Sequence, residues 1–190
     1  MREEPWRDPS RPAHERVADL VGGMTLREKL AQLYGVWLGQ SGSDSEDDVA
    51  PFQHDLVEND LNWPELIKNG LGQLTRPFGS APIDPAAGAE RLAQLQGEIM
   101  AAGRFGIPAI AHEECLTGFM THHATVYPVP LAWGAAWSPE LVERMAAAIG
   151  ESMSSVGIHQ GLAPVLDVTR DVRWGRTEET IGEDPHLVAT

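Results

Sequence analysis

The sequence predicts an α/β fold built on a parallel sheet with helices packed against it. Three observations carry that reading. The runs 71–74, 107–111 and 162–166 are short, largely apolar and each preceded by a glycine, as strands covered on both faces are. The stretches between them carry helix-start chemistry and apolar residues at helical spacing. Each connection is longer than the roughly dozen residues that a parallel crossover needs. The order strand, helix, strand, helix, strand does not by itself separate an open sheet from a closed barrel.

Along the chain, residues 1–12 are rich in proline and arginine and are expected to wrap the surface without regular structure. Ala13, Val17, Leu20, Val21 and Met24 then recur at helical spacing. Thr25 and Glu28 read as a capping box, each side chain satisfying an orphan backbone N–H, and open a second helix through Tyr34. The chain thus divides into an N-terminal wrap with helices (1–38), an acidic loop with almost nothing to bury (39–53) and a β/α region (54–190). Run 71–74 is the first strand, followed by Thr75, Arg76 and a Pro/Gly-rich loop to Ile83. Asp84 caps a helix with Pro85 at its first position, and Leu92, Leu95 and Ile99 form its apolar stripe. Run 107–111 is the second strand. Ser138 and Pro139 start the next helix, with Leu141, Met145 and Ile149 facing inward, and run 162–166 is the third strand.

Composition narrows the function classes. A net charge of −14 argues against nucleic acid or an anionic membrane as partner, since both require a basic face. No stretch approaches the ~18 apolar residues of a membrane span. Cys115 is the only cysteine, so no internal disulfide is possible. The opening MREEPWRDPSRP has no apolar core of a secretory signal, which makes the cytoplasm the expected compartment. Glycine-rich phosphate loops are absent, and no cofactor is expected.

The densest chemistry lies in 159–185, HQGLAPVLDVTRDVRWGRTEETIGEDP, where an apolar run meets Asp167, Arg170, Asp171, Arg173, Arg176, Glu178, Glu179, Glu183 and Asp184. In α/β folds ligands are met just past the carboxyl ends of strands, so this run reads as one wall of a polar site. Spacing alone leaves a structural ion-pair network equally open. The run closely resembles the DVTRDPRWGRTEETFGEDP-type signature of glycoside hydrolase family 3, the β-glucosidases and β-xylosidases. ERVADLVGGMTLREKLAQL at 15–33 resembles that family's opening helices, FGIPAIAHEECLTGF at 105–119 its second strand, and ATVYPVPLAWGAAWSPELV at 124–142 the following loop and helix. The wording around HEECLTG is most similar to the bacterial, xylosidase-like branch.

The resemblance implies a (β/α)8 TIM-like barrel, of which three strands are found here, so the chain is read as the N-terminal portion of an incomplete barrel. It further implies part of a retaining β-glycosidase acting on terminal β-D-xylosyl or β-D-glucosyl residues, with a small β-glycoside or oligosaccharide as partner. Such enzymes need two carboxyl groups and further groups that grip the sugar. Glu114 matches the family's acid that hydrogen-bonds sugar hydroxyls in the −1 subsite, and a carboxylate suits a vicinal diol. Arg176 matches the arginine that reaches the same sugar with its rigid fork of donors. Asp167, Arg170, Asp171 and Arg173 are expected to support Arg176. Val172 departs from the family's usual proline, Thr117 from the histidine before Gly118, and His123 from a small residue.

Competing readings have their own residues. His112, Glu113, His122 and His123 invite a metal, but not at the spacing of a helical zinc site. Cys115 as a nucleophile would need a base and an orienting group. The family's nucleophilic Asp, its Lys-His pair and its acid/base have no match in this sequence, so no catalytic residue is assigned and the 190 residues alone are expected to be inactive. The alternative is a non-catalytic fragment or sugar-binding module, and an open apolar sheet edge would favour self-association.

Overall fold

A computed structural model describes residues 4–38, 61–79 and 82–190. The acidic loop 39–53 lies outside the described residues. Local chemistry sets the helices. In α2 (Leu26–Ala31) the Thr25 hydroxyl accepts the Glu28 N–H at 3.3 Å, while the Thr25 N–H donates to the Glu28 carboxylate at 2.7 Å. The preceding helix, α1 (Ala13–Gly23), begins where the apolar spacing begins. The short helix α3 (Trp63–Ile67) is capped by Asn62. For α4 (Pro85–Ala102), the Asp84 carboxylate accepts the N–H groups of Ala86 and Ala87 at 3.0 and 3.1 Å. After α5 (Pro130–Ala135), the Ser138 hydroxyl caps α6 (Pro139–Ser155) through the Leu141 N–H, and α7 (Pro185–Ala189) follows Asp184. No described helix is long and apolar enough to cross a membrane.

Among the described residues, four parallel strands lie in sequence order: β1 (Gly35–Trp37), β2 (Gln73–Thr75), β3 (Ile110–Glu114) and β4 (Gln160–Leu162). Register sorts their side chains into two faces, because successive residues of a strand point to opposite sides. Val36, Leu74 and Ala111 stand in one row, 1%, 2% and 0% exposed, in a single buried cluster with Ile67, Leu92, Ile99, Ile149 and Met153. Trp37, Thr75, His112 and Gln160 form the row on the other face, where Ile110 is 45% exposed. The result is an α/β sheet with a helix-packed face and an unclosed face: the opening of a TIM-like barrel rather than a closed one.

The strands differ from the sequence reading in number and position. β1 is an additional strand; three residues carry no readable period. β3 begins three residues later than expected and runs through His112, Glu113 and Glu114, so the polar tip belongs to the ladder. β4 stops at Leu162 rather than Leu166, because Pro164 has no N–H to donate to a neighbour.

Candidate active site

The carboxyl ends of the strands form the rim on which the polar residues collect. Glu114 is the last residue of β3, half-buried, on the unclosed face with His112. After it the chain turns back, with the Met120 N–H donating to the Glu114 carbonyl at 3.1 Å. Gly118 makes this return: its φ is +103°, and an added Cβ would lie 2.4 Å from the Thr125 carbonyl oxygen, so only glycine fits.

Arg176 lies in the segment that follows the neighbouring strand β4. That segment is pinned down by the Thr169 N–H donating to the Gly182 carbonyl at 3.0 Å and by the fully buried Thr180. The guanidinium donates to both carboxylate oxygens of Glu179, at 3.0 Å from Nε and 2.5 Å from Nη2, yet remains 57% exposed. Glu179 first, then Glu114 and Asp167, hold it firmly in the charged form. The Glu114 carboxylate at the end of β3 and the Arg176 guanidinium in the segment after β4 are therefore within electrostatic reach of one another. Arg173 pairs with Asp171 instead of supporting Arg176, and both are exposed. Of the four residues expected to support Arg176, Asp167 is the one that acts on it.

Sequence reasoning weighed Glu113 only as a metal ligand and missed its burial. Alternation turns it away from Glu114 into the helix-packed side, where it is 0% exposed. One carboxylate oxygen accepts the N–H groups of Phe78 and Gly79 at 2.6 and 2.9 Å. Burial pushes its pKa up to about 7 against the pull of those donors and of the Arg76 guanidinium. The signal was available: two successive acids at a buried strand's end cannot both face solvent.

Arg76 stands beside it, just past β2. Its N–H donates to the His112 carbonyl at 3.0 Å, and its guanidinium lies 4.7 Å from the centre of the Trp37 ring. His112 is buried, and burial lowers its pKa against the attraction of Glu114. Among the described residues its Nδ1 has no hydrogen-bond partner. Cys115 is buried and its thiol is pushed up, by burial first and then by Glu114 and Glu113, which is the reverse of an activated nucleophile. His122 and His123 are exposed, ring against ring at 3.8 Å. A cavity of about 590 Å3 lies off this rim between α5, α6, β4 and α7 and is lined by apolar side chains such as Ile149, Met153 and Leu187.

The described rim offers a carboxylate acceptor and a forked cationic donor within electrostatic reach of one another, groups of the kind that polyhydroxyl recognition uses. The family model for the glycosyl hydrolase family 3 N-terminal domain matches residues 25–190. A putative β-xylosidase of Formosa agariphila is 31% identical over 96% of this chain, which covers 23% of that protein. A periplasmic β-glucosidase/β-xylosidase of Dickeya chrysanthemi is 31% identical over 96% of this chain and 28% of its own. Among solved structures, a β-glucosidase from Erythrobacter marinus superposes with a TM-score of 0.78 at 32% identity, over 99% of this chain and 23% of that one. A Listeria innocua β-glucosidase solved with glucose gives 0.66 at 30% identity, over 92% and 22%. The chain thus spans about a quarter of the length of these relatives. It belongs to glycosyl hydrolase family 3, within that family's N-terminal domain.

Proposed function

We propose that this chain is the opening segment of a retaining β-glycosidase that removes terminal β-D-xylosyl or β-D-glucosyl residues. In this reading it supplies Glu114 and Arg176 to the −1 subsite, while the nucleophile and the acid/base come from outside the 190 residues. The observation that carries the reading is that Glu114, at the end of β3, is within electrostatic reach of Arg176, in the segment after β4, in a chain of this family. The Glu114 carboxylate would accept two sugar hydroxyls and the Arg176 fork would donate to a third oxygen. Glu179 holds that fork in place between turnovers. Such contacts lower the barrier by fixing the ring where its anomeric carbon can react.

The test uses the full reading frame that contains this chain. Replacing Glu114 with Gln, or Arg176 with Lys, removes one hydrogen bond to a charged group, about 1.5–3 kcal/mol or roughly 10–100-fold in kcat/KM on a chromogenic β-xyloside or β-glucoside. Unchanged kcat/KM in both variants would end the assignment. The 190-residue chain alone is expected to show no turnover of the same substrates.

A second reading, a non-catalytic fragment or sugar-binding module, is favoured by the unclosed face and the four-strand sheet. Both readings predict that the isolated chain self-associates through its sheet edges. Sedimentation velocity should show species heavier than a monomer, growing with concentration; a clean monomer throughout would remove that claim.

A further inference from the structure

Resting on the reading of the rim as a sugar site, we propose that Glu113 is its positioning residue: the buried carboxyl ties down the 76–79 turn and so fixes the Arg76 guanidinium at the rim before any sugar arrives. The turn is one that the backbone would not hold unaided. Arg76 has φ +49°, the left-handed region that a branched-out side chain avoids, and such strain persists only where the surroundings over-determine it. The surroundings here are specific. The Phe78 and Gly79 N–H groups converge on one oxygen of Glu113, thirty-five and thirty-four residues along the chain. The Arg76 Nη2 donates to the Gly79 carbonyl at 3.1 Å, closing the turn on itself. Phe78, 1% exposed, plugs the turn into the core against Phe119, with ring centres 5.5 Å apart. Gly79 has no room to move: an added Cβ would lie 2.8 Å from the second oxygen of Glu113 and 3.3 Å from the Arg76 Nε.

The outcome reaches the rim through Arg76, whose guanidinium rests over Trp37 on the unclosed face. The groups that face Glu113 are few. Arg76 stands on the β2 side, Glu114 next on its own strand with Cys115 just past it, and the segment after β3 brings the Met120 carbonyl beside Gly79. A carboxyl whose pKa is about 7 in the closed turn returns toward its ordinary 4.5 once the turn opens to water. Raising the pH through 7 therefore favours the open turn, since the open form binds fewer protons.

Amide hydrogen exchange on the full reading frame that contains this chain, followed residue by residue, tests this. In Glu113→Ala the Phe78 and Gly79 amides should exchange ~10-fold faster or more, one lost charged hydrogen bond's worth, while the Ile110 and His159 amides of the sheet keep their protection. Equal acceleration of sheet and turn would reduce Glu113 to a structural residue, and no acceleration would end the proposal. Glu113→Gln keeps the acceptor and loses the charge. After correction for intrinsic exchange, turn protection should fall as pH rises through about 7 in the wild type and stay flat in this variant. A flat wild-type profile would overturn the proposal. Should Glu113→Ala fail to fold, Gly79→Ala pushes the same turn away from Glu113 by contact alone and should speed the same two amides. Glucose titration separates this claim from the one beneath it. If the full reading frame that contains this chain binds no glucose, the sugar reading of the rim fails, whereas the exchange data alone decide the tie on the turn. If it binds, Glu113→Ala should weaken binding with the sheet amides unchanged.

Discussion

Glu28 and Glu113 are both buried glutamates, one near the end of the sheet where strands begin and one at the end where they finish, and their environments pull in opposite directions. At the first, Arg104 reaches back 76 residues and donates from Nε and Nη2 to the two Glu28 oxygens, each at 2.9 Å. With the Thr25 N–H and hydroxyl adding to it, the carboxyl is driven down to about 2. At the second, backbone donors meet Glu113, but burial prevails and its pKa rises to about 7. One end stabilises its charge; the other holds a charge at a cost. In α/β proteins the starting end of the sheet serves stability and the finishing end carries chemistry, and a group kept in an unfavourable state marks the latter.

The contrast is sharpest in the core near each end. Ile99, 0% exposed in the last turns of α4, packs where the strands begin; Leu166, 75% exposed, lies past the finishing end of β4. Ile99→Ala should cost about 2–5 kcal/mol in urea unfolding through lost transfer energy and the cavity left behind. Leu166→Ala should stay within about 0.5 kcal/mol. Equal losses at the two sites would break the comparison.

The Glu28 contribution has a sign that can be checked. A depressed pKa gives stability that is complete above pH 4.5 and is lost as the pH falls toward 2. Wild-type protein should therefore lose stability across that window, and Glu28→Gln should flatten this part of the profile. Because the Arg104 side chain is 57% exposed, solvent screening limits the loss to about 1 kcal/mol. A variant as acid-sensitive as the wild type would show that the pair stabilises nothing.

How much of this was legible in the sequence follows from where each signal is stored. Helix starts were readable because capping is local chemistry: Thr25 with Glu28, Asp84 with Pro85, and Ser138 with Pro139 all do as expected. Strands were less so. β1 is three residues long, and the tip of β3 is polar because pairing, not hydrophobicity, holds it in the sheet. Of the rim, Glu114 and Arg176 were legible only through motifs. The burial of Glu113 could have been read from strand alternation beside Glu114, but its role could not, since its partners Phe78 and Gly79 are more than thirty residues away.

The smallest effect tests the charge-rich run after β4, which the sequence left open between an ion-pair network and a site. Arg173 and Asp171 pair within two residues of each other, with the arginine 88% exposed. Contacts this local and this hydrated add little to folding, because water screens the attraction and holding two long side chains costs entropy. Arg173→Ala should leave the urea midpoint and the slope of unfolding unchanged. A clear drop would mean that the run braces the fold, and the division of labour between the two ends of the sheet would no longer hold.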